Sequence, residues 1–154
     1  MVLTDSDKIR LIEDHYRSFW GGDLQDFDRQ LSPGFVNTGA ESRSPGGIEG
    51  AKAWARTCRG ASPRTRVVVT DALVAGDVVA VRVTWRGTDA DGLPDPPATG
   101  NRIELTGIAV WELDGEGRIV RRTGFLDVPP SNREAGHARH PAQWPPAAGV
   151  RAGK

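Results

Sequence analysis

The hydrophobic period of this chain changes once, just after Pro63. Before it, apolar residues recur at helical spacing; after it, they recur at every second position. One element cannot serve both periods, so helices from the first part must cover strands from the second. A run of helices followed by a run of strands predicts an α+β fold with an antiparallel sheet, and argues against alternating βαβ units. The 154 residues suit a single domain with one core.

The helical part reads in three pieces. In TDSDKIRLIEDHYRSFWGGD, the residues Ile9, Ile12, Tyr16, Phe19 and Trp20 form a stripe, with Thr4 or Ser6 as cap and Gly21-Gly22 as stop. His15 is expected off that stripe, at the surface. Asp23 can cap a second short helix carrying Leu24, Phe27 and Leu31, with Pro33 beyond its end and Phe35–Asn37 extended. GIEGAKAWARTCRG is a third helix presenting Ile48, Ala51, Trp54 or Ala55, and Cys58, the last as a core residue. Four strands follow: RTRVVVTDALV, DVVAVRVTWRGT, NRIELTGIAVWEL and RIVRRTGFLDV. Tight turns at Gly76-Asp77 and Asp114–Gly117 join two pairs, and the longer DADGLPDPPATG joins the middle pair. The domain is expected over 1–128, with 129–154, rich in Pro, Ala and Gly, as an irregular tail.

Charge and composition exclude several classes. Twenty basic and twenty acidic residues balance, which leaves no net field for nucleic acid or an anionic membrane. No apolar run is long enough to span a bilayer, and MVLTDSDK lacks a signal-peptide layout. One cysteine excludes an internal disulfide and fits a cytoplasmic location. His137 and His140 in GHARH have only Glu134 beside them, so no metal site is expected. No phosphate-binding or dinucleotide glycine fingerprint is present.

Alternation separates the faces of each strand. Val79, Val81, Val83 and Trp85 point inward, as do Ile103, Leu105, Gly107, Ala109 and Trp111. In the last strand Val120, Arg122, Gly124 and Leu126 form the more apolar face. Arg122 is therefore expected inside, and Asp127 outside or at the rim. Ile108, Val110 and Phe125 remain outside, as an apolar patch suited to a symmetric homodimer.

The order GGDL, FV, PGGIEGAKAW, GDVVAVRVTWRGT, TGNRIELTGIAVWEL and DGEGRIV resembles the SnoaL-like polyketide cyclases of the nuclear-transport-factor-2-like superfamily, over roughly residues 5 to 128. The resemblance implies a cone of curved sheet closed by helices, with a deep apolar pocket for polyketide-like molecules. It also implies ring closure without metal or organic cofactor, in secondary metabolism such as antibiotic biosynthesis. In aldol cyclases of this family the acid/base aspartate matches Gly124, its polar partners match Ala109 and Trp111, and a histidine matches Arg122. The usual acid is thus absent here. Asn37 resembles a water-positioning asparagine of epoxide-opening relatives.

These features nominate Arg122, Asn37 and Asp127 as catalytic candidates. A guanidinium in an apolar cone must be paired, either with a substrate oxygen or with an acid such as Glu13 or Asp14. Asp127 is an acid/base at the pocket mouth, or a solvated strand end. Asn37 orients a carbonyl or water, or caps a turn. Tyr16, Trp20, Trp54, Trp85, Trp111 and Leu126 are the expected ligand-binding wall, against ordinary core packing as the alternative. The function expected first is a cofactor-independent cyclase or isomerase acting on an apolar small molecule. A non-catalytic binding or accessory protein of a biosynthetic pathway is the alternative, and an epoxide-opening hydrolase or cyclase a further one.

Overall fold

The computed structural model describes residues 2–38, 46–61, 64–88 and 102–127; of Ala61, Thr88, Ile103, Leu126 and Asp127 it describes the backbone only. The expected tail, the long middle connection and the two histidines of GHARH lie outside the described residues.

Helix α1 spans Asp5–Trp20 and starts from a capping box. The Thr4 hydroxyl accepts from the Asp7 amide, and the Asp7 carboxylate accepts from the Thr4 amide. A 3-10 turn, Leu24–Asp26, follows with Asp23 capping the Gln25 amide at 2.9 Å, and a single α-turn, α2, covers Phe27–Gln30. Helix α3 spans Gly47–Ala61. Arg59 of α3 donates to the carbonyls of Phe19 (2.7 Å), Ser18 and Gly22 (2.9 Å), so it satisfies the open end of α1 and ties the two helices together. Lys52, buried at the foot of α3, reaches Asp28 at 2.9 Å and Glu49 at 3.2 Å.

The sheet contains β1 (Leu31–Asn37), β2 (Arg66–Ala75), β3 (Val78–Thr88), β4 (Arg102–Leu113) and β5 (Ile119–Asp127), in the order β1-β5-β4-β3-β2. The four expected strands are antiparallel neighbours. The sequence pattern marks only Phe35–Asn37 of β1 as extended. The strand begins at Leu31, not Phe35, and pairs parallel with β5, which makes the sheet mixed. Its register breaks between Leu31 and Val36, around Pro33, which has no amide hydrogen to give to the ladder and suits an edge strand.

Inward and outward faces follow the alternation along β3 and β4. Val79, Val81, Val83, Trp85, Leu105, Ala109 and Trp111 are buried, while Arg82, Arg86 and Glu104 are exposed. Each large apolar side chain buried here contributes about 1.5–3 kcal/mol. The start of β5 departs from that pattern. Ile119, expected outside, is fully buried, because the β4–β5 register shifts between Glu112 and Leu113 and inserts one residue opposite the turn. Beyond the irregularity the expected phase returns: Arg122 and Gly124 are buried, opposite Trp111 and Ala109. On the outer face Ile108 and Phe125 are paired and exposed. No helix among the described residues is long and apolar enough to cross a membrane.

Candidate active site

Between α1, α3 and the β4–β5 end of the sheet lies a cavity lined by His15, Tyr16, Phe19, Trp20, Phe35, Asn37, Ala51, Trp54, Trp111 and Arg122. Its free volume is ≈ 20 Å³, room for about one water. A larger groove of ≈ 830 Å³ runs between α1 and β2, with Glu13, Arg17, Arg64 and Arg66 among its walls. Tyr16 and Trp20 border both.

Arg122 is the charged group of the cavity, and its residue is 8% exposed. The guanidinium carbon stands 5.4 Å from the centroid of the Trp111 ring, its cross-strand neighbour, in cation–π range. Nη1 donates to Asn37 Oδ1 over a long 3.5 Å. The parallel β1–β5 pairing makes this contact possible, since it sets Asn37 beside Arg122, and the Thr38 amide donates to the Arg122 carbonyl at 2.9 Å. Of the two acids weighed as ion-pair partners for Arg122, Asp14 bonds to Arg17 at 2.6 Å and Glu13 lines the groove. Gly124 explains how the long side chain fits. A Cβ there would sit 2.6 Å from Nη2 and 2.8 Å from Cζ of Arg122. The guanidinium occupies the space that any side chain at Gly124 would need.

Asn37, Tyr16, Trp20, Trp54 and Trp111 line the cavity with Arg122. Trp85 does not. It is buried at the other end of the sheet, against Leu105, Val67 and Trp20, with its ring 6.5 Å from that of Trp20. Alternation gave its direction correctly but not its place along the strand, which is what separates pocket from core. Asp127 pairs with Thr106 and Leu126 with Gly107 in backbone register; their side chains lie outside the described residues. The indole N–H groups of Trp54 and Trp111 are buried without a hydrogen-bond partner among the described residues.

His15 corrects the expectation of a surface histidine. It is buried among Phe27 (4.6 Å between centroids), Trp111 (5.3 Å) and Phe19 (6.4 Å). Its Nδ1 is 2.9 Å from Gln30 Oε1. The amide of Gln30 continues to Ser18 Oγ at 3.2 Å, and Ser18 to Asp26 Oδ2 at 3.1 Å. Burial pushes the imidazole pKa down to about 4; the Gln30 hydrogen bond opposes this and the nearby Arg122 charge adds to it. The ring is neutral at pH 7. A signal was present in the sequence, because Ile12, His15 and Phe19 stand at i, i+3 and i+7, a core stripe in their own right.

Three helices closed over a five-stranded mixed sheet, with a pocket between the layers, define the α+β cone class of small pocket proteins. The SnoaL-like domain model matches residues 12–122, and the chain belongs to that family. Solved structures agree. TsrD from Streptomyces laurentii superposes with a TM-score of 0.73 at 22% identity, covering 88% of this chain and 98% of its own. A protein from Jannaschia sp. CCS1 assigned as a SnoaL-like polyketide cyclase gives 0.71 at 20% identity, covering 95% and 99%. IdmH from Streptomyces antibioticus, assigned as a polyketide cyclase, gives 0.67 at 26% identity, covering 78% and 91%. No curated protein sequence matches the chain.

Proposed function

We propose that this chain is a cofactor-independent cyclase or isomerase acting on an apolar, carbonyl-bearing molecule of polyketide type. The observation that carries this reading is the Arg122 guanidinium lying over Gly124 and Trp111 inside the cavity. Where the aldol cyclases of the family place a carboxylic acid, this chain places a permanent cation. A buried guanidinium stabilises negative charge as it develops on a substrate oxygen, and does so strongly where water is excluded. Asn37 orients the guanidinium. The indole donors of Trp54 and Trp111 supply further hydrogen bonds to an oxygen-rich ligand. The aromatic walls select a flat apolar body. A substrate of ring size enters by displacing Trp20 or Trp54, both only half-buried. Asp127 remains a reserve acid/base. The outer pair Ile108 and Phe125 supports a homodimer, and Phe125→Glu should then sediment as a monomer.

Binding of α-tetralone, an apolar bicyclic aryl ketone, tests the reading through quenching of tryptophan fluorescence. Arg122→Ala should weaken binding about 10-fold or more, and Arg122→Lys less, since one hydrogen bond to a charged donor is worth ~1.5–3 kcal/mol. Equal affinity of wild type and Arg122→Ala would remove Arg122 from the site. A second reading, a non-catalytic binding protein, is favoured by Gly124 offering no carboxyl group; ligand binding without acceleration of any ring closure or isomerisation would select it.

A further inference from the structure

We propose that His15 is the proton acceptor of this cavity, acting through Nε2 while Gln30, Ser18 and Asp26 keep the ring proton on Nδ1. The proposal rests on the reading of Arg122 as the group that stabilises an enolate oxygen. It supplies the base which that reading lacks.

The assignment follows from the direction of one hydrogen-bond chain. Asp26 accepts at both oxygens, from Arg29 on Oδ1 and from Ser18 on Oδ2. Ser18 spends its one hydroxyl hydrogen there, so at its oxygen it must accept from Gln30, which therefore turns its NH₂ toward Ser18. The Gln30 carbonyl oxygen then faces His15 and requires a hydrogen on Nδ1. A neutral imidazole carries one proton, so Nε2 keeps its lone pair. Nε2 makes no hydrogen bond among the described residues, and the ring borders the cavity.

The surroundings suit the role. Arg122 of β5 and His15 of α1 both stand against the Trp111 ring, at 5.4 and 5.3 Å from its centroid. The other titratable groups near His15 are Tyr16 beside it on the helix and Asp26 at the far end of the relay. Burial, first, and the Arg122 charge hold the imidazole neutral, so the ring keeps a lone pair on Nε2, as a weaker base than a free imidazole. In the step itself, Nε2 takes a proton from the carbon next to a substrate carbonyl. The C–H electron pair becomes the C=C of an enolate, and the carbonyl π pair moves onto the oxygen beside Arg122. The enolate charge then offsets the repulsion between imidazolium and guanidinium. In an isomerisation the substrate is a β,γ-unsaturated ketone, the enolate is a dienolate, and the imidazolium returns its proton to the γ-carbon as the C=C moves into conjugation with the carbonyl. After attack of the enolate carbon on a second carbonyl, the imidazolium returns the proton to the alkoxide oxygen. Nothing is oxidised, and no co-reactant is consumed.

Two measurements on the full-length protein test this. The chain has three histidines, so ¹⁵N-histidine labelling with Phe substituted for His15 as the assignment control resolves the ring. Nδ1 should be protonated and Nε2 bare, with no titration between about pH 5 and 8. Ser18→Ala releases the Gln30 amide to turn over, and should mix the two tautomers. In D₂O, wild type should exchange the α-protons of α-tetralone. His15→Phe should lose about 10²–10⁴-fold of that rate while keeping its affinity for the ketone within about threefold. A proton found on Nε2, exchange by His15→Phe at the wild-type rate, or no exchange by wild type would each overturn the assignment. Failure of His15→Phe to slow exchange, with Arg122→Ala still impaired in binding, ends this proposal and leaves the Arg122 reading standing. Undiminished binding by Arg122→Ala ends that reading first.

Discussion

Two glycines at opposite ends of the inner sheet face make room for a bulky neighbour in the same way. On β3, the ring of Trp85 lies over Gly87, where a Cβ would meet Cη2 at 2.7 Å. On β5, the guanidinium of Arg122 lies over Gly124, where a Cβ would meet Nη2 at 2.6 Å. In both cases the large residue precedes the glycine by two positions and so shares its face. The outcomes differ because the neighbouring side chains differ. Trp85 packs against Leu105, Val67 and Trp20 and completes an apolar cluster. Arg122 borders a cavity shared with His15, Asn37 and two indole donors. The same backbone allowance serves packing at one end and chemistry at the other.

The contrast breaks most visibly if each large residue is truncated. Trp85→Ala should cost about 3–5 kcal/mol of stability through the cavity it leaves, seen as a urea midpoint shift, with ketone affinity nearly unchanged. Arg122→Ala should reverse this pattern, with stability close to wild type and a loss of about 10²–10³-fold in any catalysed turnover. Matching effects at both positions would erase the distinction.

Acid sharpens the contrast next. The folded pKa of His15, about 4, lies below the ordinary 6.5, so the unfolded chain takes up this proton first as pH falls. The contribution of His15 to stability is therefore complete above about pH 6.5 and disappears on descent toward pH 4, about 3 kcal/mol in all. Urea unfolding at pH 7 and pH 4 measures it, and His15→Phe should flatten the difference.

Adding a methyl group at each glycine has a smaller effect. Gly87→Ala presses on a rigid ring, with the Thr65 hydroxyl also at 3.0 Å, and should cost about 1–3 kcal/mol. Gly124→Ala pushes the end of a flexible side chain and should cost less stability while weakening ketone binding. The smallest effect belongs to the outer face. Arg86→Ala breaks a pair with Glu104 at 2.9 Å, both well exposed, and should shift stability by about 0.2–1 kcal/mol.

Much of this arrangement is legible in the sequence. The change of period gave helices over strands, and alternation turned Arg122 and Trp111 inward. What escaped has identifiable causes. His15 falls off the stripe that Ile9, Ile12, Tyr16, Phe19 and Trp20 define, although its spacing from Ile12 and Phe19 also fits a buried one, and its burial depends on Gln30 and Ser18, partners that no local pattern announces. Leu31 continues a helical spacing, but its fate was decided by long-range pairing with Ile119. Ile119 broke the alternation at a register shift, which depends on two strands at once. Trp85 and Trp111 read alike in sequence; only their positions across the sheet separate core from cavity.

Asn37 reaches Arg122 across 85 residues of chain, through the one parallel pairing in the sheet of described residues. Contacts between such distant segments form after the hairpins, because closing the loop between them costs entropy that nearer pairings avoid. During refolding, ligand-dependent fluorescence should therefore recover later than strand circular dichroism, and competence to bind would mark the end of folding.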